Sequence, residues 1–247
     1  MRKIILLSLL ALIFISCQIT ERVYLSESGK IRQEMEIDVT ALMSFATTPE
    51  QIDSLREIGE FPVDKVVSMK ESEQYTQTKE GGHTPAQDEF IEAFDKTNMR
   101  IIMNENESKF IIMTNEMGVK EYNAYQEKIN KAYQKYEKED PKNAEGYSSS
   151  GYGTMLWFSY NEKGFERKSL NEKIEIQEEE TDDSLGISVR EFMNMNTYKI
   201  EYHFEKPIKS TTLKNAEISA DKKTVTADVP MADLLENPED YNFEVKF

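Results

Sequence analysis

Apolar and polar side chains alternate cleanly over residues 31–39. Ile31, Gln33, Met35, Ile37 and Val39 fall on one side, and Arg32, Glu34, Glu36 and Asp38 on the other. A period of two marks a half-buried antiparallel strand. With Val23-Tyr24-Leu25 across the turn Ser26–Lys30, it predicts a hairpin at the start of the folded chain. The same period returns near the C-terminus, where Tyr198, Ile200, Tyr202 and Phe204 alternate with Lys199, Glu201, His203 and Glu205 over residues 197–206. Residues 213–218 and 224–229 form a further hairpin across Ala220–Lys223, and Phe243, Val245 and Phe247 alternate to the last residue. Residues 154–160 and 165–168 flank the turn Asn161–Gly164. The arms Ile101–Met103 and Phe110–Met113 are apolar without alternation, which predicts a hairpin covered on both faces.

Helices enter this pattern through one repeated device. Thr48-Pro49-Glu50-Gln51 and Thr84-Pro85-Ala86-Gln87 each place a threonine cap, a proline at the first helical position and a glutamine three residues after the cap. The first helix offers Ile52, Leu55 and Ile58 as its apolar side and stops at Gly59; the second offers Phe90, Ile91 and Phe94. Residues 61–69 read as a strand, 71–82 as a polar loop, 116–138 as a long helix ended by Asp140-Pro141, and 142–153 as a Ser/Gly/Tyr-rich loop. The fold class expected is α+β, an antiparallel β-sheet built from hairpins with about three inserted helices. The first and last hairpins also echo each other, each running into a short helical segment at residues 38–43 and 228–235.

Ahead of the first strand the pattern changes altogether. Arg2 and Lys3 precede an apolar run from Ile4 to Ile15 interrupted at Ser8, and Phe14-Ile15-Ser16 leads into Cys17, the one cysteine of the chain. That run is shorter than the ~20 residues a spanning helix needs. It reads as a signal peptide over residues 1–16, ending in a lipobox in which Phe14 replaces the commoner leucine. Cys17 is then the lipidation site, residues 17–21 a short tether and residues 22–247 a single domain. Acyl chains on Cys17 would hold the protein to a membrane. Gln18, where an inner-membrane retention signal places Asp, points to the outer membrane, in either leaflet.

The net charge of −16 argues against nucleic acid as a partner, because basic side chains must displace its counterions. With 12 Phe, 12 Tyr and 12 Met the chain has material for a packed core, and with one cysteine the core must hold without disulfides.

Recognisable chemistry is sparse. His83 lies in a loop and His203 on the polar side of its strand, so no metal site is expected from the two histidines, and no cofactor motif occurs. The acidic run at residues 178–183 lacks the alternation and turn glycine of a calcium loop. Tyr147, Tyr152, Trp157, Phe158 and Tyr160 suit hairpin packing, or the lining of a carbohydrate or lipid groove. Asp53-Ser54-Leu55 and Asp183-Ser184-Leu185 match a permissive O-glycosylation pattern. The sharpest lead is the long helix. At 100° per residue its tyrosines share one arc, while Lys120, Lys128, Lys131, Lys135 and Lys138 fall within about 80° on the opposite side. This stripe is either a solvated face held by pairs such as Glu127–Lys131 or a candidate docking surface for anionic lipid or an acidic envelope polymer.

Four segments together give the chain a family likeness: the FISC lipobox, YLSESGKIRQEMEIDVTALM, PVDKVVSM at residues 62–69 and LKNAEISADKKTVTADVPMADLL. In these the chain resembles small Bacteroidota lipoproteins of uncharacterised function. The resemblance implies an envelope location and carries no catalytic residues. The function expected is therefore a lipid-anchored binding or interaction module with an envelope protein or polymer as partner, rather than an enzyme. The alternatives are an enzyme acting on envelope polymers through an unmarked carboxylate site and a scaffold subunit of an envelope complex.

Overall fold

Strands from opposite ends of the chain lie side by side at the centre of a nine-stranded sheet. The computed structural model describes residues 18–71, 84–141, 155–170 and 196–247, with 173, 176, 181, 182, 187, 188, 190 and 193 between them. The first hairpin is β1 (Gln18–Leu25) and β2 (Lys30–Asp38), paired with Ile19 opposite Ile37 and Leu25 opposite Ile31. Gly29 takes φ +77° in the turn, where a β-carbon would also come within 2.9 Å of the Tyr160 ring.

β2 runs into α1 (Thr40–Ala46), then α2 (Pro49–Glu57) and β3 (Val63–Ser68). α3 (Pro85–Ala93) precedes the hairpin of β4 (Thr97–Met103) and β5 (Ser108–Thr114). At both α2 and α3 the threonine accepts from the backbone of the glutamine three residues on, and that glutamine returns a bond to the threonine's own amide, the reciprocal cap anticipated from the sequence. The two-residue β6 (Met117–Gly118) pairs with the start of β2 and leads into α4 (Val119–Glu139). α4 thus begins three residues later than its periodicity suggested, because Gly118 is extended and buried Met117 belongs to the sheet.

β7 (Leu156–Asn161) and β8 (Gly164–Ser169) make the next hairpin. β9 (Thr181–Asp182) and β10 (Ile187–Ser188) pair with each other. The last third supplies β11 (Thr197–Phe204), β12 (Ser210–Thr211), β13 (Glu217–Ile218), β14 (Thr224–Pro230), α5 (Met231–Glu236), a 3₁₀ turn at Pro238–Tyr241 and β15 (Phe243–Lys246).

The large sheet runs β13-β14-β11-β1-β2-β5-β4-β3, with β6 beside β2; a four-stranded sheet runs β12-β15-β8-β7. The fold is α+β and its hairpins are antiparallel, as the pattern required. The exception lies at the centre, where β1 and β11 are parallel with Gln18 beside Thr197 and Leu25 beside Phe204. The two echoing hairpins do not meet, because β11 lies between β1 and the β13–β14 hairpin, but each runs into a short helix, α1 or α5.

Alternation decides which face is buried. Val23 and Leu25 of β1, Tyr198, Ile200, Tyr202 and Phe204 of β11, and Val225, Ala227 and Val229 of β14 share one face. They pack with Phe158, Phe165, Phe243 and Val245 of the smaller sheet and with Tyr122 and Tyr125 of α4. A second cluster joins Phe90 and Phe94 to Ala132 and Tyr136 of α4.

Two expectations need correction. Residues 18–21, expected as tether ahead of a domain starting at residue 22, form the first half of β1, and Glu21 is fully buried. The β4–β5 hairpin is not covered on both faces, since most of its apolar side chains are only half-buried. A run without alternation reports apolar character and not what lies against it.

Candidate functional site

The tyrosine face of α4 turns inward, as its periodicity indicated, and the lysines face out. Three of the five are met by carboxylates: Lys128 lies 3.1 Å from Asp95, Lys131 3.6 Å from Glu127, and Lys135 is bonded to Glu89. Asp95 and Glu89 come from α3 and the residues just after it, so the stripe forms one wall of a charged seam between the helices. Ala93, Ala124 and Ala132 line the groove between them, of about 340 Å³. Lys120 and Lys138 are exposed near the two ends of α4. Cys17, His83, the loop 142–153 with Tyr147 and Tyr152, Asp183-Ser184-Leu185 and most of the acidic run lie outside the described residues.

A charged centre between the two sheets was not anticipated. Glu21 sits on the inner face of β1, in register with Ile19, Val23 and Leu25, and it meets Arg167 of β8 across the gap. Arg167 donates from Nε and Nη2 to the two carboxylate oxygens at 3.0 and 2.9 Å. Tyr198 donates to Oε2 at 2.5 Å and Tyr202 to Oε1, while Arg167 Nη1 donates to the Tyr241 carbonyl at 3.0 Å. The side chains of Glu21 and Arg167 are 0% and 1% exposed.

Burial alone would raise the Glu21 carboxyl. The Arg167 guanidinium, aided by hydrogen bonds from Arg167, Tyr198 and Tyr202, outweighs burial and holds it below the ordinary carboxylate range. Burial, and then the Glu21 charge, push the Tyr198 and Tyr202 hydroxyls well up, so they stay protonated as donors. Sealed from water and supplied with donors, Glu21 is an ionised clamp between the sheets.

The outer face of the same strands carries an open charge lattice. Arg22 reaches Glu36 at 2.7 Å and Glu201 at 3.2 Å; Lys199 lies 2.9 Å from Glu201. His203 Nε2 is 2.9 Å from Glu201, and its Nδ1 is 3.2 Å from the Thr224 hydroxyl. Burial would raise the Glu201 carboxyl, but bonds from Lys199 and His203 and the charge of Arg22 lower it to about 2. One row along, Arg32, Tyr24 and His203 are cross-strand neighbours. The two rings stack at 4.8 Å and 8°, and the Arg32 guanidinium lies 4.6 Å from the Tyr24 ring. This face of the sheet is a lattice of ion pairs with a π-stacked Tyr24–His203 pair one row along.

Alternation foretold that His203 would lie on this polar face. Glu21 offered a signal too, as an acid on the apolar parity of its strand, but that strand was read as starting at Val23.

No family model matches the chain, and no curated protein matches it. Among solved structures it aligns with the NMR structure of the folded domain of LppM from Mycobacterium tuberculosis, at 6% identity over 93% of this chain and 88% of that one, with a TM-score of 0.39. No helix among the described residues is long and apolar enough to cross a membrane.

Proposed function

We propose that the protein is a lipid-anchored cell-envelope domain that works by binding, held to the outer membrane through acyl chains on Cys17. The observation that carries this reading is the junction between leader and fold. β1 is paired on both sides from Gln18, the residue after Cys17, so a chain cleaved before Cys17 keeps the whole of the described strand. Arg2, Lys3 and the short apolar run supply the export signal, and Gln18 favours release to the outer membrane. The partner in this reading is an envelope protein or polymer. The outer face of β2, β1 and β11 suits it better than the α4 lysines, three of which are already matched by acids.

The test is the intact mass of the protein extracted from its native membrane fraction. A chain starting at Cys17 and carrying acyl mass is expected. A chain without acyl groups, recovered in the soluble fraction, would overturn the reading.

A further inference from the structure

Lipid anchoring usually leaves orientation open, because a flexible tether lets the domain turn freely. This chain has almost no tether. Gln18 is already paired with Asp38 of β2 and Thr197 of β11, and one peptide step of about 3.8 Å separates it from Cys17. An acylated Cys17 therefore brings one particular end of the molecule to the membrane.

Register identifies what that end carries. β2 finishes beside Gln18 and passes into α1, and Val39 donates to the Ser108 carbonyl at the start of β5. α2 is fixed to the β4–β5 turn by Arg56, which reaches Glu105 at 2.8 Å. The smaller sheet is aligned with β1: Tyr160 donates to the Glu27 carbonyl at the far turn, while Arg167 meets Glu21 near the start of β1. Following β8 past Arg167, and β7 back from Phe158, leads towards the Gln18 end.

Four of the six exposed large apolar side chains among the described residues lie on these elements, the others being Val66 of β3 and Ile218 of β13. Leu42 of α1 is 41% exposed, Ile58 at the end of α2 68%, Trp157 of β7 41% and Leu170 just after β8 50%. A tryptophan and aliphatic side chains around a chain terminus suit the apolar–polar boundary of a bilayer. Exposed Glu50, Asp53 and Glu57 lie along α2 and exposed Glu60 just after Ile58, with Arg56 the one basic residue among them, which disfavours an anionic leaflet. Lys120, by contrast, lies at the start of α4, where Val119 donates to the Gly29 carbonyl in the far turn.

We infer that the protein lies on a zwitterionic lipid surface through this end, with Leu42, Ile58, Trp157 and Leu170 at the headgroup boundary around the acylated Cys17. The inference rests on the proposed acylation. It leaves the outer face of the central sheet open to a partner.

Trp157 is the one tryptophan of the chain and serves as the reporter. The protein extracted from its native membrane fraction is first weighed for acyl mass, then reconstituted into phosphatidylcholine vesicles containing lipid brominated near the glycerol end of the chain. Trp157 emission should shift to the blue and be quenched. In the variant Trp157→Phe with Glu162→Trp, the reporter moves to the β7–β8 turn at the opposite end, and quenching should fall by at least about twofold, since interfacial insertion is shallow. Acylated protein quenched equally at both positions, or more strongly at 162, overturns the orientation and leaves the anchor standing. A chain without acyl mass overturns the anchor, and the orientation with it.

Discussion

β1 and its parallel neighbour β11 carry an ion-paired glutamate on each face, and the two are built for different ends. Glu21, facing inward, is 0% exposed and takes four hydrogen bonds from Arg167, Tyr198 and Tyr202. Glu201, facing outward, is 16% exposed and meets Arg22, Lys199 and His203. The number of partners is similar; access to water is not. Outside, water replaces any partner that is lost. Inside, nothing does, so the inner centre fixes how β8 sits on β1 while the outer lattice tolerates the loss of a contact.

The largest expected effect comes from breaking the inner pair. Arg167→Met strands a buried carboxylate and should destabilise the fold by about 3–5 kcal/mol in denaturant unfolding. The double variant Glu21→Met with Arg167→Met should cost less than Arg167→Met alone, because no buried charge remains; an additive loss would mean that packing, not charge, holds the sheets together. Tyr202→Phe, which removes one donor and keeps Arg167, should cost about 1–3 kcal/mol.

The outer lattice gives the smallest effect. Glu201→Gln should cost about 1–2 kcal/mol at neutral pH, short of the roughly 3 kcal/mol that a shift from about 4.3 to about 2 gives without solvent screening, and the difference should shrink in salt. Its pH dependence sharpens the contrast. The folded carboxyl lies at about 2, below an unfolded value of about 4.3, so its contribution is complete above the unfolded value and is lost as pH falls towards 2. Glu201→Gln should therefore flatten the fall of stability between about pH 4.5 and 2.5, read by urea unfolding at each pH. An unchanged slope would assign acid sensitivity to the inner carboxylate instead.

Local periodicity made much of this molecule legible. The alternation of β2, β11 and β15, the two Thr-Pro-x-Gln caps and the inward tyrosine face of α4 are properties of neighbouring residues, and they stand in the structure as the pattern implied. The parallel pairing of β1 with β11 was not legible, because alternation fixes a strand's faces and leaves its neighbours undetermined. Arg167 gave no local sign that it would meet Glu21, 146 residues earlier. Of the pairs along the lysine stripe, Glu127–Lys131 was legible because both residues lie on α4, whereas Glu89 and Asp95 opposite it were not, because they come from another part of the chain.

The central strand is also the strand that waits longest. β1 is the first element to emerge from a ribosome or an export channel, yet one of its two neighbours lies 179 residues downstream, as Arg22 and Glu201 mark. Until Arg167 follows, Glu21 is a carboxylate without its partner on the otherwise apolar inner face of β1. An inward-pointing charge of this kind makes the open edge of an incomplete sheet a poor template for stray strands. The residue that locks the two finished sheets together is thus also one that sets the unfinished sheet against a wrong partner.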